Sequence, residues 1–488
     1  MSIVGRKKEL AILKQMLTSK ASEFLAIYGR RRVGKTFLIR SFFEEQNVLF
    51  FNTTGAKDGL LAEQIRHFTK EIGRVFYKGV QLKEPKDWDA TFEMLTDAFK
   101  VIPKAKKIVL FFDEFPWMAS KNSRLLQTLE YYWNQHWSRD KRIKLVICGS
   151  SASWIIEKIV NNKGGLYNRL TRNIYLEPFN LKDTRRFLTS LGVKLNDEQV
   201  LQIYMVTGGI PYYLSKVERG LSAAQNIEKL AFQRKSFLAE EFDNLFSSLY
   251  ENHGDYVDIV RFIASRRYGI GQEEILKHMG KSQYGKMGLK KLKDLQDSNF
   301  IISFKSHFHT KRGIYYQVID EYTLFYLDWI EPIKSTLLTK GAMSGYWEKQ
   351  QSLASWHSWA GYAFEAVCYK HLSQISQTLN MSPTAVPNTW RYVPRNGKKK
   401  QGAQIDLLFD RDDDTITICE IKYTDQPYVI DKQEAALLKR KIAVFKERTR
   451  TKKQIFLAII SANGLKKTIY SEDMVNGLVT LDDLFRKD

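Results

Sequence analysis

The sequence of 488 residues contains little cysteine and no long apolar segment. Its three cysteines, Cys148, Cys368 and Cys419, lie far apart and form no C-x-x-C pair, which excludes a disulfide framework and a cysteine-rich zinc site. No run of about 18 or more apolar residues occurs, so we expect no membrane-spanning segment. The charged N-terminal residues are not followed by an apolar stretch, so we expect no secretory signal and a cytoplasmic protein.

Positive charge, by contrast, is abundant. The 76 Lys and Arg residues exceed the 54 Asp and Glu residues and give a formal net charge of +22. Most of this surplus, +16, lies within residues 1–240. Such a field favours a polyanionic partner, nucleic acid first and an anionic membrane surface second, although a generally basic solvated surface would have the same composition. The length of the chain predicts two to four domains.

Residues 25–43, "LAIYGRRRVGKTFLIRSFF", join an apolar run, a glycine-containing loop and a stretch with helical spacing. The pattern Gly29-x4-Gly34-Lys35-Thr36 matches a Walker A phosphate loop in the strand–loop–helix setting that this motif requires. Backbone N–H groups of such a loop bind the β-phosphate of a nucleotide. Lys35 would reach the β- and γ-phosphate oxygens and Thr36 would supply a ligand for Mg²⁺, so the predicted cofactors are ATP and Mg²⁺.

A second apolar run, "KKIVLFFDEF", ends in two adjacent acids, Asp113 and Glu114. Asp113 is predicted to hold Mg²⁺ through water, and Glu114 to orient the attacking water, which indicates hydrolysis as well as binding. Two more strand candidates bring the count to what a parallel sheet with covering helices needs. At the end of one of them, Ser150 or Ser151 lies where a polar residue can touch the γ-phosphate, although an ordinary turn explains either serine equally well.

The first 240 residues contain five motifs in a characteristic order: "VGRKKEL" at 4–10, "YGRRRVGKT" at 28–36, "FFDEF" at 111–115, "LYNRLTRNIYLEPF" at 166–179 and "TGGIPYYL" at 207–214. In content and order these motifs resemble the prokaryotic archaeal-type ATPases, a branch of the AAA+/STAND group of P-loop proteins. The resemblance implies that adenine is flanked by a Gly-Arg pair near the N-terminus and by a Gly-Gly-x-Pro segment. The corresponding residues here are Gly5, Arg6, Gly208, Gly209 and Pro211.

Three consecutive arginines, Arg30, Arg31 and Arg32, fill the variable positions of the phosphate loop together with Val33. Backbone groups provide most of the grip of such a loop, so these positions need no charge. We expect the arginine side chains to point away from the phosphates as an outward cationic knob. The knob would contact acids of a neighbouring subunit or nucleic-acid phosphate, or keep the empty loop open by repulsion. A merely solvated run is the alternative.

Two further arginines, Arg169 and Arg172, come shortly before or at the start of another strand candidate. An arginine at this place could meet a γ-phosphate, either of its own chain or of a neighbouring subunit. Arg169 is the predicted nucleotide sensor, and a surface arginine is the alternative for both.

Residues 250–330 differ in character from the preceding segment. Three short helical patterns are followed by two β-rich runs, which is the order of a winged helix-turn-helix. Residues 261–312 carry 12 Lys and Arg against four Asp and Glu, concentrated on the third helical pattern and on the turn "HTKRG". The third helix could lie in a major groove of DNA, but such a fold could also serve only as a packing module.

The last third of the chain places charges in apolar surroundings. A helical pattern holds Glu365, a strand pattern holds Asp406, and the next strand pattern holds Glu420 and Lys422 on one face. Isolated charges in apolar strands need partners or a metal. Asp406 and Glu420 are therefore predicted ligands of Mg²⁺ in a phosphodiester-cleaving site. Lys422 would lower the pKa of an attacking water or neutralise developing charge. Glu365 would add a ligand.

This arrangement resembles the PD-(D/E)xK nuclease fold, which archaeal-type ATPases commonly carry at this end. The usual proline before the acid is absent, since Gln404 and Ile405 precede Asp406. Two alternatives stay open, namely exposed charges on an edge hairpin and a nuclease fold that has lost its activity. The predicted phosphate contacts are the basic segment "RYVPRNGKKKQG" and, more weakly, Gln433, Lys439 and Arg440.

Together, these patterns predict an α/β protein with three domains. A P-loop NTPase parallel sheet of AAA+ type with a helical lid occupies 1–240, a winged helix 241–335, and a restriction-endonuclease-like α/β domain 336–488. The predicted function is a Mg²⁺-dependent ATPase that binds DNA and cleaves it under nucleotide control. Homo-oligomers are compatible with this prediction, and no membrane partner is expected. The alternative is a STAND-type switch or scaffold whose last domain binds nucleic acid or protein without cleavage.

Overall fold

The computed structural model describes residues 3–120, 122–161, 166, 168–266, 269–280, 284–305, 313–340, 345–392 and 402–486. The chain divides into two compact units, Met1–Pro178 and Phe179–Asp488. No helix within the described ranges is long and apolar enough to cross a membrane.

The first unit contains a five-stranded parallel sheet covered by helices. Its strands are β1 (Glu23–Tyr28), β2 (Leu49–Thr54), β3 (Ile108–Asp113), β4 (Ile143–Gly149) and β5 (Arg172–Tyr175). Its helices are α1 (Lys7–Thr18), α2 (Lys35–Glu44), α3 (Leu61–Phe76), α4 (Trp88–Ala98), α5 (Phe115–Met118), α6 (Leu125–Gln135) and α7 (Ala152–Ile155). The strand order is β2-β3-β4-β1-β5 and every neighbouring pair is parallel. The predicted α/β fold with a parallel sheet is confirmed.

The sequence of the central strands explains their position. Strands β1, β3 and β4 are buried at every residue, as expected for parallel strands covered on both faces. Aromatic rings dominate the adjoining core, where Phe68 and Phe112 lie 5.4 Å apart and Phe92 and Trp137 lie 5.1 Å apart between ring centroids. Because β4 lies between β3 and β1, the segments that follow these three strands meet at one edge of the sheet.

The second unit is richer in helices. Its helices are α8 (Leu181–Ser190), α9 (Asp197–Thr207), α10 (Pro211–Leu214), α11 (Ala223–Ala231), α12 (Phe237–Leu249), α13 (His253–Ala264), α14 (Gln272–His278), α15 (Lys286–Asp297), α16 (Glu321–Phe325), α17 (Lys334–Lys340), α18 (Tyr346–Gln351), α19 (Ala354–Lys370), α20 (Leu372–Thr378), α21 (Lys432–Thr449), α22 (Ile469–Met474) and α23 (Leu481–Leu484). Its strands are β6 (Ile270–Gly271), β7 (Ile301–Lys305), β8 (Ile314–Val318), β9 (Val386–Tyr392), β10 (Ala403–Asp410), β11 (Thr415–Lys422), β12 (Gln454–Ser461) and β13 (Gly477–Thr480).

These strands form two separate sheets. The smaller sheet is antiparallel with the order β6-β8-β7, and helices α13, α14 and α15 precede its β7–β8 hairpin in the chain. The larger sheet has the order β13-β12-β11-β10-β9, in which β10 is antiparallel to both β9 and β11, and β11, β12 and β13 run parallel. The turn "HTKRG" lies outside the described residues except for its final glycine.

The compact units divide the chain elsewhere than at the predicted boundaries, residues 240 and 335. Helices from the predicted lid pack within the second unit, where Tyr322 O–H donates to the carbonyl of Leu238 at 2.6 Å. Helices α17 and α18 lie between the smaller sheet and α19 in the chain. Trp347 of α18 is 1% exposed and packs its ring 5.2 Å from that of Trp329 and 5.4 Å from that of Phe325.

The turn after α9 generates a prediction about backbone packing. Gly209 has φ +68° and a Cβ atom added there would lie 2.1 Å from the carbonyl oxygen of Phe179. Gly220 has a similar φ of +76° but no atom within 4 Å of such a Cβ. We expect Gly220→Ala to cost only the left-handed strain of about 1–2 kcal/mol. Gly209→Ala should cost roughly 1–3 kcal/mol more because of the clash.

Urea unfolding of the two variants and the wild-type protein measures this difference. Equal destabilisation by both substitutions would show that the close approach of Gly209 to Phe179 does not constrain this turn.

Candidate functional site

The phosphate loop lies between the end of β1 and the start of α2. Gly29 has φ +141° and an added Cβ would lie 2.4 Å from the carbonyl oxygen of Leu176, so this position has no room for a side chain. Gly34 has φ +92° and its added Cβ would meet nothing within 4 Å. Left-handed backbone favours glycine at both positions, while the open space at the second leaves the start of α2 accessible to a phosphate group.

Lys35 forms hydrogen bonds within its own loop. Its side chain is buried, and its ammonium donates hydrogen bonds of 2.8 Å to the carbonyl oxygens of both Gly29 and Arg30. A buried ammonium needs such acceptors. Phosphate oxygens of a bound nucleotide are stronger acceptors and would compete for this group.

Three strand ends bring polar side chains next to the loop. Thr36 Oγ1 donates to Asp113 Oδ2 at 2.9 Å. One carboxylate oxygen of Glu114, Oε2, accepts from Ser150 Oγ at 2.8 Å and from Ser150 N at 3.1 Å. The structure thus places Ser150 against the predicted catalytic acid, and it gathers Lys35, Thr36, Asp113, Glu114 and Ser150 at one edge of the sheet.

This group of residues fits a nucleotide-bound Mg²⁺ ion. The Thr36 hydroxyl and the Asp113 carboxylate are hard oxygen donors in direct contact, which is the donor type that Mg²⁺ prefers. Asp113 is 3% exposed, and a buried carboxylate gains from a nearby cation.

The arginines of the loop do not all point outward. Arg30 is 1% exposed, so its predicted place in an outward cationic knob is wrong. Its backbone adjoins Gly29, which approaches the carbonyl of Leu176 too closely for a side chain. Arg31 and Arg32 are half-buried, and Arg32 adopts a left-handed backbone with φ 71°.

The predicted Gly-Arg pair lies beside the loop. Arg6 donates one hydrogen bond of 2.7 Å to the carbonyl of Glu177 and another of 3.1 Å to that of Val33. Both Gly5 and Arg6 have positive φ, at 67° and 57°, so the chain turns sharply here. The Arg6 guanidinium therefore joins the loop to the segment that follows β5.

The two candidate sensor arginines lie at the opposite end of the sheet. Arg172 pairs with Leu25 in the β1–β5 register and forms an ion pair with Glu23 at 3.2 Å. Arg169 is exposed and precedes Thr171, whose N–H donates to the carbonyl of Phe24. Since parallel strands rise about 3.3 Å per residue, these positions are roughly 13–16 Å from the loop after β1. This location corrects the expectation that either arginine reaches a γ-phosphate of its own chain.

Gly209 and Pro211, the predicted residues on the other side of adenine, lie in the second unit. Gly208 ends α9 with a left-handed backbone, Gly209 packs against Phe179, and Pro211 begins α10. Within this unit the segment is a tight turn between two helices, as its sequence indicates.

The predicted nuclease residues assemble on the larger sheet of the second unit. Leu407 pairs with Cys419 in the β10–β11 register, which sets Asp406 opposite Glu420. Asp406 Oδ2 accepts from the N–H of Ile421 at 3.2 Å. These strands are interior to the sheet, and Asp406 and Glu420 are 9% and 3% exposed. The alternative of exposed charges on an edge hairpin is therefore wrong.

Two lysines compensate the charge of Glu420. Lys422 Nζ lies 3.1 Å from Glu420 Oε1 and 3.4 Å from Glu434 Oε1. Lys441, on α21, donates to both oxygens of Glu420 at 2.6 and 2.8 Å. The sequence analysis did not identify Lys441. Its signal is helical spacing, since it lies three residues after Leu438 and four before Phe445, the buried residues of α21.

The electrostatics of this group follow from burial. Burial and the nearby Glu420 raise the pKa of Asp406 from its ordinary value to about 7. Burial, followed by Asp406 and Glu420, also raises the pKa of Glu365 well above its usual range. Burial alone would lower the pKa of Lys422, but Glu420 and Glu434 outweigh it and raise this pKa, so the ammonium stays charged.

The residues present fit one divalent ion held by two carboxylates. Asp406 and Glu420 offer hard oxygens in a buried setting, the donor chemistry that Mg²⁺ and Mn²⁺ take. Glu365 lines the same small cavity as Asp406. Nevertheless, the part of the chain that the structure describes contains no group of three or more His, Cys, Asp or Glu arranged to hold a metal. The predicted extra ligand role of Glu365 is thus not realised in this structure.

The cavity beside Asp406 is lined in part by the smaller sheet. Phe304 of β7 and Gln317 of β8 contribute to it together with Glu365 and Asp406, and its volume is about 30 Å³. Such a volume has room for a water molecule or an ion.

Of the weaker candidates for phosphate contact, Lys439 forms an exposed ion pair of 3.5 Å with Asp473. Most of the basic segment "RYVPRNGKKKQG" lies outside the described residues.

The parallel sheet, the phosphate loop and the paired acids of the first unit define a P-loop ATPase domain. In agreement, residues 3–217 match the family described as an ATPase domain predominantly from Archaea. This part of the chain thus matches an archaeal-type ATPase domain, a family whose description implies nucleotide binding. The chain is also 28% identical over 430 residues to an uncharacterized protein of Methanocaldococcus jannaschii, covering 86% of this chain and 88% of that protein.

Solved structures with a similar fold include a Walker-type ATPase of Pyrococcus abyssi. It has 18% identity and a TM-score of 0.48, with 67% of this chain and 96% of that one covered. The ORC2 protein of Aeropyrum pernix, in ADPNP and ADP complexes, has 15% identity and a TM-score of 0.43, with 69% and 96% covered.

The contacts of Lys35 predict a loss of nucleotide binding on its removal. Lys35→Ala deletes an ammonium that would form charge-assisted hydrogen bonds to phosphate, each worth about 1.5–3 kcal/mol. We expect ATP affinity to fall at least roughly 100-fold. Isothermal titration calorimetry measures this change, with Lys100→Ala as the control, since Lys100 is 75% exposed and pairs only with a neighbouring acid in its own turn. Unchanged affinity in Lys35→Ala would rule out the site.

The raised pKa of Asp406 predicts a pH-dependent gain of stability in Asp406→Asn. The folded protein holds the proton of this carboxyl up to pH about 7. The unfolded chain releases it near pH 4, so wild-type stability falls as the pH rises between these values. The asparagine variant lacks this loss. Relative to wild type, it should therefore gain about 1–3 kcal/mol between about pH 5 and pH 8.

Urea unfolding in EDTA at the two pH values tests this expectation. Asp473→Asn is the matched control, because Asp473 is 68% exposed. An Asp406→Asn difference that is the same at both pH values would contradict the proposed environment of Asp406.

Proposed function

We propose that the protein is a Mg²⁺-dependent ATPase that binds DNA and cleaves it through its C-terminal residues under nucleotide control. The observation that carries the nuclease part is the buried Asp406–Glu420 pair with its two lysines, on interior strands of a sheet. Burial of two facing carboxylates is costly for stability, and function is the usual reason why such a cost is retained.

For ATP hydrolysis, each residue near the loop has a role. Lys35 would bind the β- and γ-phosphates, and Thr36 and Asp113 would hold the ion. Glu114 would accept a hydrogen bond from the attacking water and orient it, while Ser150 fixes the Glu114 carboxylate through two hydrogen bonds. The bound ion would neutralise charge that develops on the γ-phosphate.

For DNA binding, the support is the order of helices α13 to α15 and the β7–β8 hairpin, which we interpret as a winged helix. On α15, Lys286, Lys290 and Lys293 are exposed, whereas Lys291 is buried against Tyr256 and paired with Asp255. The exposed lysines would contact phosphates along a groove.

For cleavage, Asp406 and Glu420 would hold the divalent ion. A bound ion of this kind polarises the phosphate and lowers the pKa of a water ligand. Lys422 would stabilise the charge of the pentavalent phosphate, since its ammonium stays protonated beside Glu420 and Glu434. Tyr369 of α19 donates to the carbonyl of Asp406 and would hold strand β10 against this helix.

Nucleotide control is supported by the neighbourhood of the cavity. Phe304 of β7 and Gln317 of β8 line the same cavity as Asp406, so a shift of this hairpin would change access to the acid. A nucleotide-driven rearrangement would provide such a shift.

A non-cleaving switch is the second candidate. The observation in its favour is that both oxygens of Glu420 are already occupied by Lys441, which leaves the carboxylate compensated without a metal. In this case the C-terminal residues would bind nucleic acid or protein only.

A plasmid assay tests the proposed function. Supercoiled and linear DNA would be incubated with the full chain in Mg²⁺ or Mn²⁺, with and without ATP, beside Asp406→Asn and the control Asp473→Asn. We expect ATP-sensitive cleavage that the control retains and that Asp406→Asn reduces at least about 100-fold, since a metal ligand is lost. Glu114→Gln should bind ATP but fail to hydrolyse it. With ATP present, its rate of DNA cleavage should therefore stay at the value of the ATP-bound protein.

DNA binding with no cleavage by the wild-type protein under any of these conditions would favour the switch. Cleavage retained in Asp406→Asn would show that the activity does not come from this site.

A further inference from the structure

Glu420 carries one more cation than its motif accounts for. The D-x13-E-x-K pattern provides Lys422, whose Nζ lies 3.1 Å from Glu420 Oε1. Lys441 comes from a different element, α21, and forms the shorter contacts of 2.6 and 2.8 Å to the two oxygens of the same carboxylate. Lys441 is only 18% exposed at its side chain, so this contact is shielded from water.

The two lysines differ in how they are held. Lys422 has a second acid, Glu434, at 3.4 Å and lies 5.4 Å from the ring centroid of Tyr428. Those contacts would keep Lys422 in place if Glu420 bound another cation. Both hydrogen bonds of Lys441 shown by the structure go to Glu420. Among the described residues, Lys441 is therefore held by hydrogen bonds to that carboxylate, while Asp406 and Glu365 attract it only through space.

A metal ligated by Glu420 needs at least one of the oxygens that Lys441 occupies. Lys422 and Lys441 already share this carboxylate, and a third cation there would be repelled by both, with weak screening where water is excluded. A lysine side chain has four rotatable bonds and can withdraw, whereas Glu420 is fixed on an interior strand.

We infer that Lys441 occupies the place of the divalent ion on Glu420 and is exchanged for that ion when the site is loaded. Lys441 is thus a positioning residue, because its two hydrogen bonds fix the orientation of the Glu420 carboxylate. Once displaced, its ammonium lies beside the site and binds the phosphodiester that arrives with the ion. This inference rests on the proposed function, since it presumes a metal site at Asp406 and Glu420.

The exchange has a measurable consequence for metal affinity. Because the ion must displace a cation, the free protein should bind Mn²⁺ weakly. Removing the ammonium should strengthen binding, which is the opposite of what loss of a merely structural contact would do. A DNA phosphate that accepts the displaced ammonium should likewise strengthen metal binding in the wild-type protein, but not in a variant without Lys441.

The experiment is an Mn²⁺ titration of the nucleotide-free full chain, followed by electron paramagnetic resonance of the free ion. The variants are Lys441→Met, the control Lys439→Met and the site-deleting Asp406→Asn. Lys439 lies on the same helix, but it is 61% exposed and pairs with Asp473. We expect Lys441→Met to bind Mn²⁺ at least about tenfold tighter than wild type, Lys439→Met to match wild type, and Asp406→Asn to lose the site.

A second titration uses a short duplex with Ca²⁺ in place of Mn²⁺ to prevent cleavage. Here Lys441→Met should bind the duplex several-fold more weakly than wild type because one phosphate contact is missing. Lys441→Gln, which keeps a hydrogen-bond donor to Glu420 without charge, replaces Lys441→Met if the latter does not fold, and the same tightening of Mn²⁺ binding is expected.

The outcomes separate the inference from the function on which it rests. If wild type binds Mn²⁺ in an Asp406-dependent manner while Lys441→Met and Lys441→Gln bind it equally or more weakly, the exchange is refuted and the metal site stands. If neither wild type nor the lysine variants show Asp406-dependent binding, the proposed metal-dependent function itself is refuted. Tighter binding in the lysine variants supports both.

Discussion

The free energy of a buried carboxylate depends on the groups that face it, and this constraint shapes both functional regions. In the first unit, Asp113 lies in the sheet edge with the Thr36 hydroxyl against one oxygen and the Glu114 N–H against the other. In the second unit, Glu420 lies against two ammonium groups. Asp406 accepts a hydrogen bond from the N–H of Ile421, and its pKa is raised. In each case a helix, α2 or α21, follows a strand of the sheet and returns a polar side chain to the acid. The packing of those helices is therefore part of the chemistry.

The two regions stabilise their buried carboxylates in different ways. Around Asp113, hydroxyl and N–H groups stabilise the charge without cancelling it, which leaves the carboxylate attractive to a cation that arrives with a nucleotide. Around Glu420, full positive charges cancel it, so an arriving ion must compete. The first carboxylate thus keeps its attraction for a cation, whereas the second is self-compensated and shares its cavity with residues of β7 and β8.

Much of the candidate nucleotide site could be predicted from the sequence, because a phosphate loop is a local structure. Gly29 and Gly34 adopt the positive φ angles that glycine favours, and the strand before them and the helix after them are contiguous in the chain. The opposition of Asp406 and Glu420 could likewise be predicted, since a short hairpin fixes its register through the side-chain period of two. The burial of Arg30 could not be predicted, because its neighbour Gly29 approaches Leu176, far along the chain. The same holds for Arg172, whose location at the far edge of the sheet follows from strand order and not from its neighbours in sequence.

The sequence by itself determined the parts of this protein that arise from neighbouring residues: a strand, loop and helix that bind phosphate, an acid pair at a strand end, and acids that face each other across a hairpin. Only the tertiary structure decided which distant groups complete these parts. It placed Ser150 on Glu114, Arg6 on the loop, Lys441 on Glu420, and the β7–β8 hairpin beside the cavity of Asp406. The physical reason is range. Backbone preference and periodicity act over a few residues, whereas the compensation of a buried charge requires only that a partner be close in space, wherever in the chain it lies.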